Sequence, residues 1–273
     1  MALISFDLDG VLQRNPFHGY RPDGVFGHLS RELMPADPKT GLQLIYDEHT
    51  RRLHAGHLVE AHDWDGIVAA VASSVNYTGT ISVTQLVTEY CEKPGMVWHY
   101  PGAPETLQAL LDAHHTLVML TNGFRCYQEP VVRKIGLSGY FTAMITPEGA
   151  GAAKPEPGIY RAAEAYGKGG PFIHIGDTLQ HDVAGAKRSG WLAIYVVQHG
   201  APGATELTPE LAALPPWERP AAGMEWLRHR FDLDRRWHGY PPAELEECIP
   251  DAIVAKLQEI PETVSRLVSR QAP

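Results

Sequence analysis

Six short apolar runs frame this chain: Ala2–Phe6, Thr116–Leu120, Ala143–Ile145, Phe172–Ile175, Leu192–Val197 and Ala252–Leu257. Each has strand character, and segments of helical spacing separate several of them. Ala103–His114 carries Leu107, Leu110 and Leu111 on one helical face, and Gln128–Ile135 and Pro157–Tyr166 read the same way. Asp182–Ser189 reads as a short helix that stops at Gly190, as a glycine cap predicts. Strands alternating with helices call for an α/β fold: a doubly wound, Rossmann-like parallel sheet covered on both faces. In such sheets the active site lies beyond the carboxyl ends of the strands.

Two segments break the rhythm. From about Arg14 to Pro94 no core strand is expected, and the patterns are helical: His28–Met34, Leu42–Arg52, His57–Ser74 and Ser82–Glu92. This predicts a helical cap domain at 15–94, inserted directly after the first strand, with the core at 1–14 and 95–273. The second break is an insertion at about 199–247. It opens on the Gly- and Pro-rich HGAPGATELTPELAALPPWERPAAG and continues as a helical stretch, Met224–Trp237.

Composition narrows the classes. Hydrophobic residues make up 44% of the chain and charged residues 20%, which calls for a packed globular protein rather than a disordered one. A net charge of −9 disfavours nonspecific nucleic-acid binding and anionic membranes. Cys91, Cys126 and Cys248 are sparse, odd in number and without metal spacing, so a reducing, cytoplasmic setting is expected. With a strand expected from Ala2, no signal peptide is expected. No stretch reaches the roughly 20 apolar residues that span a bilayer.

The first strand runs into two acids. Side chains two apart on an extended chain share a side, so Asp7 and Asp9 point together, and Gly10 lets the backbone turn away. Two close carboxylates repel, which calls for a cation or a shared proton. Oxygen ligands suit a hard ion, Mg2+ above others. The plain alternative is a solvated loop after a strand. Further groups also follow strands. Thr121, Asn122 and Gly123 offer a hydroxyl, an amide and a flexible turn that can donate to an anion. Lys154 precedes a helix near Pro157, where the helix dipole also favours an anion. Asp177 and Asp182 fall at a strand end and the next helix start, where Asp182 could be a simple N-cap.

In this order and context, FDLDGVL, LTNG, the lysine of KPEPGIY and IGDTLQHD resemble the four signature motifs of the haloacid dehalogenase superfamily. The resemblance covers about 1–14 and 96–197. Pro250–Pro261 also resembles the last core strand of many members. The resemblance implies Asp7 as nucleophile, forming an aspartyl phosphate, and Asp9 as the acid and then the base. It implies Mg2+ held by Asp7, the Asp9 carbonyl and Asp177. Thr121 and Lys154 would grip phosphoryl oxygens, backbone near Leu8, Asn122 and Gly123 would assist, and Asp182 would orient Lys154 or a metal-bound water from behind. The family's 2-haloacid dehalogenases generally lack an acid at the Asp9 position, so Asp9 points to phosphoryl transfer. The phosphonoacetaldehyde branch uses a cap lysine that has no counterpart just after Arg14. The position of the cap resembles the class acting on small substrates. The expected activity is hydrolysis of a small phosphate monoester, with a phosphorylated metabolite as partner and a monomer or homodimer as the state. A sugar-phosphate phosphomutase and a non-catalytic phosphate-ligand binder are the alternatives.

Other features are expected to be structural. A second FDLD, Phe231–Asp234, lies among Arg228, Arg230, Arg235 and Arg236, with no strand before it. Its acids are expected to pair with those arginines on a helix surface. His54, His57 and His62 lie close together in sequence, but His57 and His62 fall well apart on a helix, so a zinc site there needs bending. His174 is expected as a hydrogen-bonded core residue, and His181 is a candidate near the site. Phe17, Tyr20, Phe26, Trp64 and Tyr77 are expected to pack a helical core rather than line a pocket. Trp217, Trp226 and Trp237 are read as anchors of the inserted arm, a cover for the core, or a subunit contact.

Overall fold

The structure, a computed structural model, describes residues 1–17, 23–197, 206–238 and 242–271, with the side chains of 236–238 excepted. Tyr20 and the side chains of Arg236 and Trp237 lie outside the described residues. The chain forms two compact units: Met1–Leu12, Tyr100–Thr121 and Gly139–Pro273 in one, Gln13–His99 and Asn122–Ser138 in the other.

The first unit is built on six parallel strands: β1 (Leu3–Phe6), β2 (Thr116–Leu120), β3 (Ala143–Ile145), β4 (Phe172–Gly176), β5 (Leu192–Val196) and β6 (Ala252–Val254). Their order across the sheet is β3-β2-β1-β4-β5-β6. All four residues of β1 are buried, as a central strand covered on both faces requires, and this is why the strands read as unbroken apolar runs. One core gathers Leu3, Val118, Leu120, Ile159, Tyr160, Leu179, Val183, Tyr195 and Leu227. Alternation turns Ile4 and Phe6 to the opposite side of β1. There the helices Ala103–Asp112 and Ile260–Arg270 bury Leu107, Leu110, Val264 and Leu267.

The chain order places a switch point beside β1. The strand that follows β1 in this unit, β2, lies on one side of it, and β4 lies on the other. Phe6 is in register with Met119 and with Ile175, so Asp7, Thr121 and Asp177 all emerge just past the carboxyl ends of three adjacent strands.

Several elements depart from expectation. The strand expected over Ala252–Leu257 ends at Val254, because the Ala255 N–H donates to Glu259 Oε2 at 2.8 Å, and a 3-10 turn follows at Leu257–Glu259. The helix expected from Asp182 begins with a π turn, Leu179–Val183, before Ala184–Arg188. The insertion does return to the sheet: β6 pairs in parallel with β5, and Pro216 of the insertion accepts from the Ile253 N–H at 3.0 Å. That contact occupies part of what would be a free edge.

The reading of the second FDLD is corrected in part: Asp234 does pair with Arg230, at 3.9 Å, but as a buried residue and not on a helix surface. Its helix, Met224–His238, buries Phe231 and Asp234, and Asp234 accepts from the backbone N–H of Gln180 at 2.9 Å. Asp232 is exposed. The spacing that suggested surface ion pairs hides a helix face turned into the core. Trp226 belongs to the same core, its indole N–H donating to the Glu206 carbonyl at 3.0 Å, and Trp217 stacks under Arg266 at 5.6 Å.

The second unit is helical, with Val25–Leu33, Pro38–His54, Trp64–Ser74, Val83–Cys91 and Arg125–Lys134. Asp37, Asp63 and Ser82 cap three of these helices through their side chains. The aromatic residues pack as a core: Phe17 and Phe26 lie 4.9 Å apart, as do Phe26 and Trp64, with Tyr127 and Val131 in the same cluster. Helix Arg125–Lys134 joins the others through Tyr127, whose hydroxyl donates to Asp65 Oδ2 at 3.0 Å. A two-residue antiparallel ladder, Gln13–Arg14 with Trp98–His99, also lies here and is too short to leave a periodic signal. His54, His57 and His62 form no metal-holding group among the described residues. No helix among the described residues is long and apolar enough to cross a membrane, and all three cysteines are free.

Candidate active site

Four charged side chains converge past the ends of β1 and β4. Lys154 Nζ lies 2.8 Å from Asp7 Oδ1 and 2.5 Å from Asp182 Oδ1. Asp7, Asp177 and Asp182 each bring a carboxylate oxygen within 4.8 Å of the others. All four residues are buried.

The three acids are not equivalent. Asp182 has both oxygens engaged: Oδ1 receives Lys154 and His174 Nε2, and Oδ2 receives the Thr178 N–H at 2.9 Å and its hydroxyl at 2.6 Å. Burial works against its ionisation, but Lys154 and His174 overcome it and hold the carboxyl well below the usual range. Asp182 is therefore a fixed anion that steers Lys154. Burial pushes Asp7 up to about 7 against the pull of Lys154, and the charges of Asp182 and Asp9 add to the rise. Asp177 is raised well above the ordinary value by burial first, then by Asp7 and Asp182. Lys154 loses from burial, but Asp182 and Asp7 outweigh that loss and keep it protonated.

Such an arrangement fits a divalent cation. Asp7 and Asp177 are buried oxygen donors that cannot comfortably both ionise without added positive charge, and oxygen-only donors select hard ions. Asp182, already saturated by four donors, sits behind them.

The other expected residues fall as follows. Asp9 is half-buried just past Leu8, and Gly10 after it has φ of 86°. Leu8 is fully buried, and its carbonyl accepts from the Leu12 N–H at 2.9 Å, which closes the turn. Thr121 is buried at the end of β2, its N–H donating to the Ile145 carbonyl at 3.2 Å. Asn122 and Gly123 follow directly and belong to the helical unit, where Gly123 packs on the side chain of Gln128.

One residue, Thr178, and the link of another, His174, to Asp182 escaped the sequence reading. His174 is the expected buried, hydrogen-bonded residue, but its Nε2 lies 3.0 Å from Asp182 and its Nδ1 lies 2.7 Å from the Ser5 hydroxyl. Thr178 caps the π turn and holds Asp182 reciprocally. The available signal was parity. Ser5 stands two before Asp7 and His174 two before Gly176, each a polar residue inside an apolar run that must find a partner.

A sequence model of the haloacid dehalogenase-like hydrolases matches residues 1–190. The chain belongs to that family. The family's hydrolases include a glyceraldehyde 3-phosphate phosphatase of Methanocaldococcus jannaschii, 24% identical over 206 residues, or 71% of this chain and 84% of the relative. Among solved structures, a phosphatase of the same family from Thermococcus onnurineus is similar at 26% identity and a TM-score of 0.57, covering 74% of this chain and 89% of that one. An L-2-haloacid dehalogenase from Xanthobacter autotrophicus matches at 18% identity and a TM-score of 0.57, over 96% and 98%. At that identity the last likeness speaks to the fold. As a member of this family the chain is a hydrolase with phosphatase relatives.

Proposed function

We propose that this hydrolase is a Mg2+-dependent phosphatase acting on a small phosphate monoester through an aspartyl phosphate at Asp7. The observation that carries the reading is Lys154, held 2.8 Å from Asp7 by a saturated Asp182, with the Asp177 carboxylate beside them.

Asp7 attacks phosphorus with a carboxylate oxygen while the bond from phosphorus to the alcohol oxygen breaks, and Asp9 gives that oxygen its proton. Water then attacks the same phosphorus. Asp9 takes the water proton, the bond to Asp7 breaks, and inorganic phosphate leaves. Lys154 and the Thr121 hydroxyl bind the phosphoryl oxygens, with backbone donors around Leu8, Asn122 and Gly123. The carboxylates of Asp7 and Asp177 and the carbonyl of Asp9 would hold Mg2+, which supplies charge neutralisation between nucleophile and phosphate. Asp9 favours this chemistry over dehalogenation, since departure of halide needs no proton. A cytoplasmic setting and a phosphorylated metabolite as substrate belong to the same reading.

A phosphatase panel that includes glyceraldehyde 3-phosphate, run with Mg2+ and with chelator, tests it. Release of phosphate only with the ion, abolished in Asp7→Asn, is expected. Turnover that survives chelation, or halide released from a haloacid, overturns it.

A further inference from the structure

The second FDLD lies beyond the residues that the family model matches, yet it touches the acidic loop. Gln180 sits on the π turn between Asp177 and the end of that turn, fully buried. Its backbone N–H donates to Asp234 Oδ2 at 2.9 Å, and its side-chain oxygen accepts from the Ala243 N–H at 3.0 Å. Its amide nitrogen lies 3.9 Å from Cys248 Sγ. All three partners come from the stretch between β5 and β6. Arg230, one turn before Asp234, donates to the Tyr195 hydroxyl on β5 at 2.7 Å and brings a second nitrogen to 3.9 Å from Asp234. The helix is thus fastened to the sheet at one point and to the acidic loop at the next.

The fastening matters because of what it holds. A π turn is an uncommon conformation with little stability of its own, and here Asp177 precedes it while Asp182 lies on it. Thr178 and Asp182 tie its start. The Gln180 N–H donates to Asp234, and removing that acceptor leaves a buried donor on the turn.

We infer that Asp234 is a positioning residue that sets the orientation of the Asp177–Asp182 loop, so that the inserted helix Met224–His238 is a working part of the catalytic unit. The inference rests on Asp177 as a Mg2+ ligand.

Calorimetric titration of the full chain with MgCl2, alongside kcat, tests it. Asp234→Asn retains an oxygen that can accept from Gln180, and its Mg2+ dissociation constant stays within about twofold of wild type, whereas Asp234→Leu weakens it about tenfold or more and lowers kcat, as loss of a metal ligand's support does. If the Leu variant has a lower melting temperature but unchanged Mg2+ affinity, Asp234 is structural only and the inference is overturned. Should Asp234→Leu not fold, Asp234→Ala removes the same acceptor without adding volume; a Mg2+ affinity weaker by about fivefold or more supports the inference, and a smaller change overturns it. A wild-type chain that binds no Mg2+ overturns the metal reading of the site as well, whereas wild-type binding with unaltered variants overturns positioning alone.

Discussion

The Asp182 side chain occupies the space that any side chain at Gly176 would need. A Cβ at Gly176 would fall 2.2 Å from Asp182 Cγ and 2.3 Å from its Cβ. The last residue of β4 is therefore a glycine so that the anion steering Lys154 can pass across the strand end. Asp182 cannot retreat without giving up Lys154, His174 or Thr178. Gly176→Ala is expected to destabilise the fold by about 1–3 kcal/mol, the usual cost of forcing extra volume into a packed site. On the proposed function, its kcat should fall even where the protein stays folded. Urea denaturation and kcat on the same preparation check this; a variant with wild-type kcat would show that Asp182 can move.

His174 carries a pH dependence with a defined sign. Burial lowers its pKa, and the attraction of Asp182 only partly compensates. The ring is neutral in the fold, with Nε2–H donating to the Asp182 carboxylate and Nδ1 accepting from the Ser5 hydroxyl. A folded pKa below the unfolded one means that the unfolded chain binds the extra proton first. Stability from this group is present above the unfolded value of about 6.5 and declines as pH falls below it. Wild type should lose stability between about pH 7 and pH 5 relative to His174→Gln, whose amide can still donate to Asp182. Parallel denaturant curves across that range measure the difference, and identical slopes would place the titration elsewhere.

The sheet and the strand-end acids could be read from local rules, and Lys154 from its place among four motifs that resemble a known family. An apolar run followed at once by acid or hydroxyl marks a strand end, and a parallel sheet collects strand ends on one side. The supporting residues obey no local rule. Asp234 and Arg230 have the spacing of a surface ion pair, and only the burial of Phe231 beside them reveals a face turned inward. Tyr127 joins its helix to one that begins about sixty residues earlier through its hydroxyl, which accepts from the Asp65 N–H at 2.8 Å and donates to Asp65 Oδ2 at 3.0 Å. The strand at Ala252 is shortened by Glu259, which competes for a backbone N–H that an extended ladder would use.

Arg219 is the clearest case of a residue with no sequence signal and a large structural role. It is 2% exposed, and its guanidinium donates to the carbonyls of Leu211, Ala212, Leu214 and Ile253 and to both oxygens of Glu259. It ties the insertion to the end of β6. Arg219→Met should cost about 3–5 kcal/mol, because it leaves a partly buried Glu259 and several carbonyls without their donor. Chemical denaturation reads the loss. A change below about 1 kcal/mol would mean that water replaces the guanidinium, as at an exposed pair.

Removing the ion and removing one of its proposed ligands should act in opposite directions. Without Mg2+, Asp177 is a buried carboxylate facing the charges of Asp7 and Asp182, and its raised pKa reflects that strain on the ionised form. Asp177→Asn relieves the repulsion, so the variant in chelator should melt at or above the wild-type temperature in chelator. Adding Mg2+ should stabilise wild type by about 2.7 kcal/mol at one hundred times its dissociation constant, as ligand linkage requires. The same addition should leave Asp177→Asn nearly unmoved and inactive. Thermal melts of both proteins in MgCl2 and in chelator separate the cases. A variant that melts lower than wild type in chelator would mean that the Asp177 carboxylate is held by donors strong enough to offset Asp7. In that event its function would be structural, and the ion would have to be sought on other oxygens.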